Sequence, residues 1–240
     1  MTTDSVITEA MTRAAKEIHA ASGMQETLDA IVSAARNTLP GIDHVGLSVG
    51  HKDGHIETLA ATDPAVLTFD KLQYDVGEGP CVYAMEAETV VRVENARHEQ
   101  RWPLFIPRAV EAGLRSQLGL RLHVDEVEMA ALNMYSTSSD TLDPDLEDYA
   151  ELFASYASLA LGRARREDQL HQALVSGRLI GQATGIIMER FGVDDARAFR
   201  YLTRISNETN VKLRDVAQSV VAEKNAASNG GPPASVQGSP

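Results

Sequence analysis

Cys81 is the sole cysteine of this 240-residue chain, and it stands at the end of Gly77-Glu78-Gly79-Pro80-Cys81. A reactive thiol needs an electropositive, accessible place, yet the nearest charge before Cys81 is the acid Glu78. It therefore reads as a small buried apolar residue. One cysteine excludes an intramolecular disulfide and any cysteine-rich metal site. The seven histidines show no metal-ligand spacing, so no metal is expected. His98, in "ARHEQRWP", reads as a solvated loop residue, and Trp102, the only tryptophan, as a packing anchor. No Ser/His/Asp or Cys/His constellation, Walker loop or dinucleotide glycine pattern occurs. Gly77–Pro80 is a tight turn rather than a phosphate loop, because no lysine or helix-opening Ser/Thr follows. No catalytic residue and no cofactor is expected.

A second set of residues suits polyanion binding. The stretch "IGQATGIIMERFG" (180–192) has the apolar spacing of a helix, yet carries Ala183, Thr184 and Gly185 in its middle. A helical glycine costs about 1 kcal/mol relative to alanine. Either these small residues let helices pack tightly, or they let a backbone or base approach. Gln182 and Thr184 offer hydrogen bonds there, while Arg178, Arg190, Lys212 and Arg214 offer charge for phosphate. Residues 162–224 hold eleven basic and eight acidic side chains, a net +3, which leaves −15 on the rest of a chain whose total is −12. Opposite signs on two regions suggest two jobs.

The elements that position these residues follow from periodicity. Apolar residues at Ile7, Met11, Ala14 and Ile18 predict an amphipathic helix over 5–21. A second helix buries Leu28, Ile31, Val32 and Ala35 and stops at "LPG", 39–41. Two extended runs around Lys52-Asp53-Gly54 read as a hairpin. Residues 89–95, 116–124 and 129–136 read as further strands, with a short helix over 105–114. From Pro144 the pattern is helical: Leu146, Tyr149, Phe153, Tyr156 and Ala160, then Arg163 and Glu167, then Leu170 and Leu174. Such a seam suits a stalk that pairs with another helix, or a helix packed on its own domain. Two short helices follow Gly192, the first capped by Asp194. Residues 225–240 read as a disordered tail. No apolar run is long enough to span a bilayer, and the N-terminus places acids before any basic residue, unlike a signal peptide. The expected location is the cytoplasm, with no membrane partner.

Residues 176–221, with Ile180, Gln182, Ala183, Gly185, Met188, Ala198-Phe199, Leu202, Ser206, Asn210, Lys212-Leu213 and Asp215-Val216-Ala217, resemble the ANTAR family of RNA-binding antiterminators. The resemblance implies a three-helix bundle that, as a dimer, binds a pair of hairpins in nascent transcripts and keeps a terminator from forming. It places Arg178, Gln182, Ala183, Thr184, Gly185, Met188, Arg190, Arg204, Asn210, Lys212 and Arg214 at the RNA. Two positions depart from the family pattern: Thr184 and Thr203 stand where basic residues are common.

Residues 24–166 resemble a GAF domain, through "VGEGPCVYA", "RWPLF", "GLRSQLGLRL", "AALNMYS" and "YAELFASYASLAL". That resemblance implies a sensory or dimerising module with a small-molecule ligand in some members. Some similar domains attach bilins through a cysteine with an adjacent histidine, where this chain has Val82. The expected architecture is α+β: an N-terminal helix (1–23), a GAF-type antiparallel sheet with flanking helices (24–166), and a long helical stalk leading into a three-helix ANTAR bundle (167–224). The expected partners are RNA and a second copy, the dimer forming through Ile7, Met11, Ala14 and Ile18 with Tyr149, Phe153, Tyr156 and Ala160. A protein-docking scaffold and a Cys81-dependent redox enzyme are the rival readings.

Overall fold

A computed structural model describes residues 3–51, 53–86, 89–123 and 129–229. Among them are helices α1 (Thr3–Ala20), α2 (Met24–Thr38), α3 (Pro64–Val76), α4 (Pro80–Glu86) and α5 (Ile106–Glu111). Helices α6 (Leu146–Phe191), α7 (Asp195–Thr209) and α8 (Leu213–Asn229) follow, and strands β1 (His44–Gly50), β2 (Ile56–Ala61), β3 (Val90–Val93), β4 (Ser116–His123) and β5 (Met129–Ser136) complete the set. The chain divides into two compact units, Met1–Asp168 and Gln169–Pro240, and α6 runs on from the first into the second.

The first unit is built on a five-stranded antiparallel sheet in the order β2-β1-β5-β4-β3. Strand side chains alternate between faces, and the two faces here differ in chemistry. Val45, Leu47, Leu118, Leu120, Leu122, Leu132 and Met134 face α1, α2 and the first turns of α6 in one apolar core. The other face carries Gly46, Ser48, Gln117, Gly119, Asn133 and Tyr135, covered by α3, α4 and α5. A polar inner face is an unusual use of buried sheet, because each polar group there must be matched.

The α1 stripe differs from expectation. Met11, Ala14 and Ile18 are buried in the first unit's own core together with Phe153, so they are not a face awaiting a partner. On α6 the buried line is Leu146, Ala150, Phe153, Ala157, Leu161 and Ala164. Tyr156 turns outward with Leu152 and Leu159. Arg163 holds the end of α1, donating to the carbonyls of His19 and Ala21 at 3.3 and 3.0 Å.

Helices α3 and α4 have no counterpart in the sequence expectations. The signals are local: Asp63 caps α3 by accepting from the Ala65 amide at 3.0 Å, Pro64 opens it, and Gly77, at φ 66°, closes it. Gly79, at φ 136°, then turns the chain into α4, as the expected turn over 77–80 requires.

The second unit packs the last turns of α6 with α7 and α8 around Ala183, Ile187, Ala198, Leu202, Val216 and Ala217. Asp194 caps α7, accepting from the Arg197 amide at 2.8 Å. Asn210, at φ 54°, ends α7 in the left-handed conformation that asparagine tolerates. Residues 225–229 of the expected tail continue α8. Ala226 and Ala227 favour that extension, and residues 230–240 lie outside the described residues. No helix among the described residues is long and apolar enough to cross a membrane.

Candidate functional sites

In the second unit the expected RNA-contact residues separate by exposure. Ala183 is 0% and Thr184 5% exposed. Thr184 spends its hydroxyl on the Ile180 carbonyl at 2.8 Å. Both belong to the packing between helices, which corrects their expected place on the binding surface. Met188 is half-buried against the same core. Gly185 is exposed, and a methyl group there would meet nothing within 4 Å, so packing inside the unit does not demand the glycine. With Arg178 and Gln182 it occupies one helix face at steps of four and three.

The basic side chains differ in what they already hold. Arg190 pairs with Glu223 at 3.3 Å, Arg204 reaches Glu208 at 3.8 Å, and Arg214 lies 3.4 Å from its neighbour Asp215. Exposed pairs of this kind contribute about 0–1 kcal/mol and open readily toward a phosphate. Arg178 and Lys212 are exposed, as is Asn210 at the α7–α8 turn.

Sequence reasoning passed over the aromatic residues beside these cations. Phe191 is 54% exposed and lies 5.6 Å, centroid to centroid, from Tyr201, and the Arg204 guanidinium sits 5.6 Å over the Tyr201 ring. Phe199 is exposed too. Aromatic and guanidinium planes are surfaces on which unpaired bases stack.

In the first unit a cavity of about 610 Å³ opens between β2, α3 and α4, with Ile56, Leu67, Tyr74 and Val82 as apolar wall and Glu57, Lys71, Asp75 and Glu86 as charged rim. Behind its Thr58 and Tyr74 wall lies a buried polar network. Thr58 Oγ1 donates to Asp70 Oδ2 at 2.6 Å, Ser48 Oγ reaches the same oxygen at 3.4 Å, and Asn133 Nδ2 donates to Asp70 Oδ1 at 3.2 Å. The Tyr135 hydroxyl also donates to Asp70 Oδ1. Tyr74 donates to Ser48 at 2.6 Å, and Gln73 fixes the far side, donating to Tyr135 at 3.0 Å and accepting from the Cys81 amide at 2.8 Å.

Two glycines make room for this network. Gly46 and Gly119 flank Asn133 in register across β1, β5 and β4. A methyl group on Gly46 would collide with Val66 and come within 3.1 Å of Asp70 Oδ2, while one on Gly119 would lie 3.1 Å from the Pro80 carbonyl. Side chains of α3 crowd Gly46 and the backbone of α4 crowds Gly119, which is the reason for glycine at both positions.

Burial dominates the acid–base state of the network. It raises Asp70 from 3.8 to about 6, against the opposing pull of the hydrogen bonds from Thr58, Tyr135, Ser48 and Asn133. It also pushes the Cys81 thiol up to about 12, helped by the charge of Asp70. Cys81 is therefore a buried thiol, not a thiolate nucleophile. Trp102 packs in the core with Tyr83 at its edge, and His98 is exposed. Among the described residues no His, Cys, Asp or Glu group could hold a metal ion.

Comparison with known proteins divides the chain at the same place. A model described as a GAF domain matches residues 21–162, and one described as an ANTAR domain matches residues 168–221. Among solved structures the chain is similar to the GAF domain of a phosphoenolpyruvate-protein phosphotransferase from Acinetobacter, at 15% identity over 70% of this chain and 99% of that one, with a TM-score of 0.54. The corresponding GAF domain from Coxiella burnetii gives 16% identity, the same coverage and a TM-score of 0.55. The Stigmatella aurantiaca phytochrome photosensory core module gives 12% identity over 80% of this chain and 43% of that one, with a TM-score of 0.56. At such identities the likeness is one of fold alone. No curated protein matches the chain.

Proposed function

Because the chain belongs to the GAF domain family and carries an ANTAR domain directly behind its GAF domain, we propose that it is a transcription antitermination regulator whose first unit senses a small molecule and whose second unit binds paired RNA hairpins. An ANTAR domain implies RNA-binding antitermination regulation, and a GAF domain implies a sensory role. The ANTAR match over the net-positive helical unit is the observation that carries this reading.

Arg178 and Lys212 neutralise phosphate, with Arg190, Arg204 and Arg214 released from their surface pairs to join them. Gln182 reads base edges beside Gly185, where the missing side chain admits a close approach. Loop bases are recognised when splayed onto a protein surface, and Phe191, Tyr201 and Arg204 offer such a surface.

Two hairpins require two bundles, so a second copy is part of the proposal. Leu152, Tyr156 and Leu159 fall on one face of α6 at steps of four and three, all exposed, and suit helix pairing between copies. In the second unit Leu170 and Leu174 are exposed as well.

Fluorescence anisotropy of a labelled tandem-hairpin RNA tests the reading. Specific binding at physiological salt, lost when either hairpin is scrambled, is the expected outcome. Equal binding of scrambled and intact RNA would hand the second unit to the rival role of protein docking.

A further inference from the structure

A buried carboxylate with no cation beside it is the least explained feature of the first unit. Asp70 is 1% exposed, and each group that hydrogen-bonds it is neutral: Thr58, Ser48, Asn133 and Tyr135. An ionised carboxylate in such a place is costly unless it is paired. Beside it, Asn133 Oδ1 is buried without any hydrogen-bond partner. Its Nδ2 faces Ser48, Asp70 and the Cys81 sulfur, an orientation that the Asp70 carboxylate favours, since it accepts and does not donate. The centre of the network thus has an unspent acceptor and, the weak Cys81 thiol hydrogen apart, no spare donor. In native interiors an orphaned buried acceptor calls for an explanation.

Thr58 and Tyr74 connect this centre to the outside, since both line the open cavity and both belong to the network. They touch each other at 3.3 Å. At the rim Lys71 is already paired with Asp75 at 2.9 Å, while Glu86 is exposed. The cavity volume of about 610 Å³ lies in the range of small-molecule sites.

We infer that this cavity takes a small organic cation, a primary amine or amidine-type group on a short apolar body, with the cationic head donating to Thr58 and Tyr74 and held by the charge of the Asp70 carboxylate behind them. The body lies against Leu67 and Val82, and the head supplies the positive charge that the network lacks. The inference rests on reading the first unit as a sensor, and it gives that sensor a ligand class. Burial of Asp70 suits cation binding, because the charge is held away from water, where its attraction is least screened. The upward displacement toward 6 is what an incoming cation would reverse.

The test uses phenethylammonium as probe, with 2-phenylethanol and phenylacetate as controls of similar shape, titrated calorimetrically into the full chain. The cation is expected to bind at least tenfold more tightly than either control, and Asp70→Asn is expected to erase that preference. Equal binding of the three probes, no binding of any, or a preference kept by Asp70→Asn overturns the inference. Should the variant fail to fold, the wild-type protein still decides. The preference for the cation should grow as pH rises through about 6, where Asp70 ionises. The other titratable groups facing Asp70 are Tyr74, Cys81 and Tyr135, all pushed upward by burial. At the mouth stand His55, Glu57, Lys71, Asp75 and Glu86, and His55→Gln separates the histidine from Asp70. A preference unchanged between pH 5 and pH 7.5 overturns the inference. Cation binding that leaves RNA affinity untouched refutes the sensor reading and not the ligand class.

Discussion

Replacing Asp70 by asparagine should remove a pH dependence of stability that is legible in the structure. The amide keeps the carboxyl's shape. Its oxygen can accept from Tyr135, and its nitrogen can face Thr58 Oγ1, whose hydroxyl is free to turn toward Tyr74. Burial raises Asp70 from 3.8 to about 6, at about 1.4 kcal/mol for each pH unit of displacement. Ionising Asp70 therefore costs the folded state about 3 kcal/mol. Between pH 4 and pH 6 the unfolded chain has lost a proton that folded Asp70 still holds. Deprotonation thus favours unfolding, and the contribution is fully present below pH 4 and gone above pH 6. Asp43 and Asp63 titrate below this window. Burial pushes both upward, but the hydrogen bonds from Ser138 and His44, among others, outweigh it. Trp102 lies in the core of the first unit, so its fluorescence during urea unfolding reports that unit. Wild-type stability minus that of Asp70→Asn should fall by about 2 kcal/mol from pH 4 to pH 6.5, every other group cancelling in the difference. A difference that stays constant over that range would show that Asp70 ionises freely in the fold, and the premise of an unpaired buried charge would be wrong.

Three further outcomes are expected. Lys212→Ala with Arg214→Ala should weaken hairpin binding and lower the slope of log affinity against log salt by about 2, roughly one per lost phosphate contact; an unchanged slope removes both residues from the RNA. Leu159→Glu, at a position 72% exposed, should leave thermal unfolding nearly unchanged and shift sedimentation from dimer to monomer, and a persisting dimer refutes pairing through that face of α6. Phe153→Ala, by contrast, empties a fully buried site and should cost about 3–5 kcal/mol in urea unfolding of the first unit.

Periodicity made the sheet and most helices readable. Strands β4 and β5 alternate apolar residues toward one core, and α2 keeps Leu28, Ile31, Val32 and Ala35 on one face. Helices α3 and α4 were hidden because they cover polar sheet residues, so Asp70, Gln73 and Cys81 are buried and blur the apolar pattern. The direction of the α6 faces was hidden for another reason. Small residues at Ala150, Ala157 and Ala164 mark the buried line, whereas reading by bulk favours Tyr156, which faces out. Thr184 was misplaced by its polarity. A polar side chain can enter a helix-packed core when its hydroxyl returns to the carbonyl four residues back, as it does to Ile180. The polar network itself has no sequence signature, since its members are drawn from β1, β2, α3, α4 and β5 and meet only in the fold.

The most direct measurement of the central claim is single-round transcription through a terminator preceded by tandem hairpins, with the purified full chain added. Read-through should rise with protein concentration, require both hairpins, and fall back when Lys212 and Arg214 are replaced together. Read-through that stays at its basal level while the RNA is saturated with protein would contradict an antitermination role for this chain.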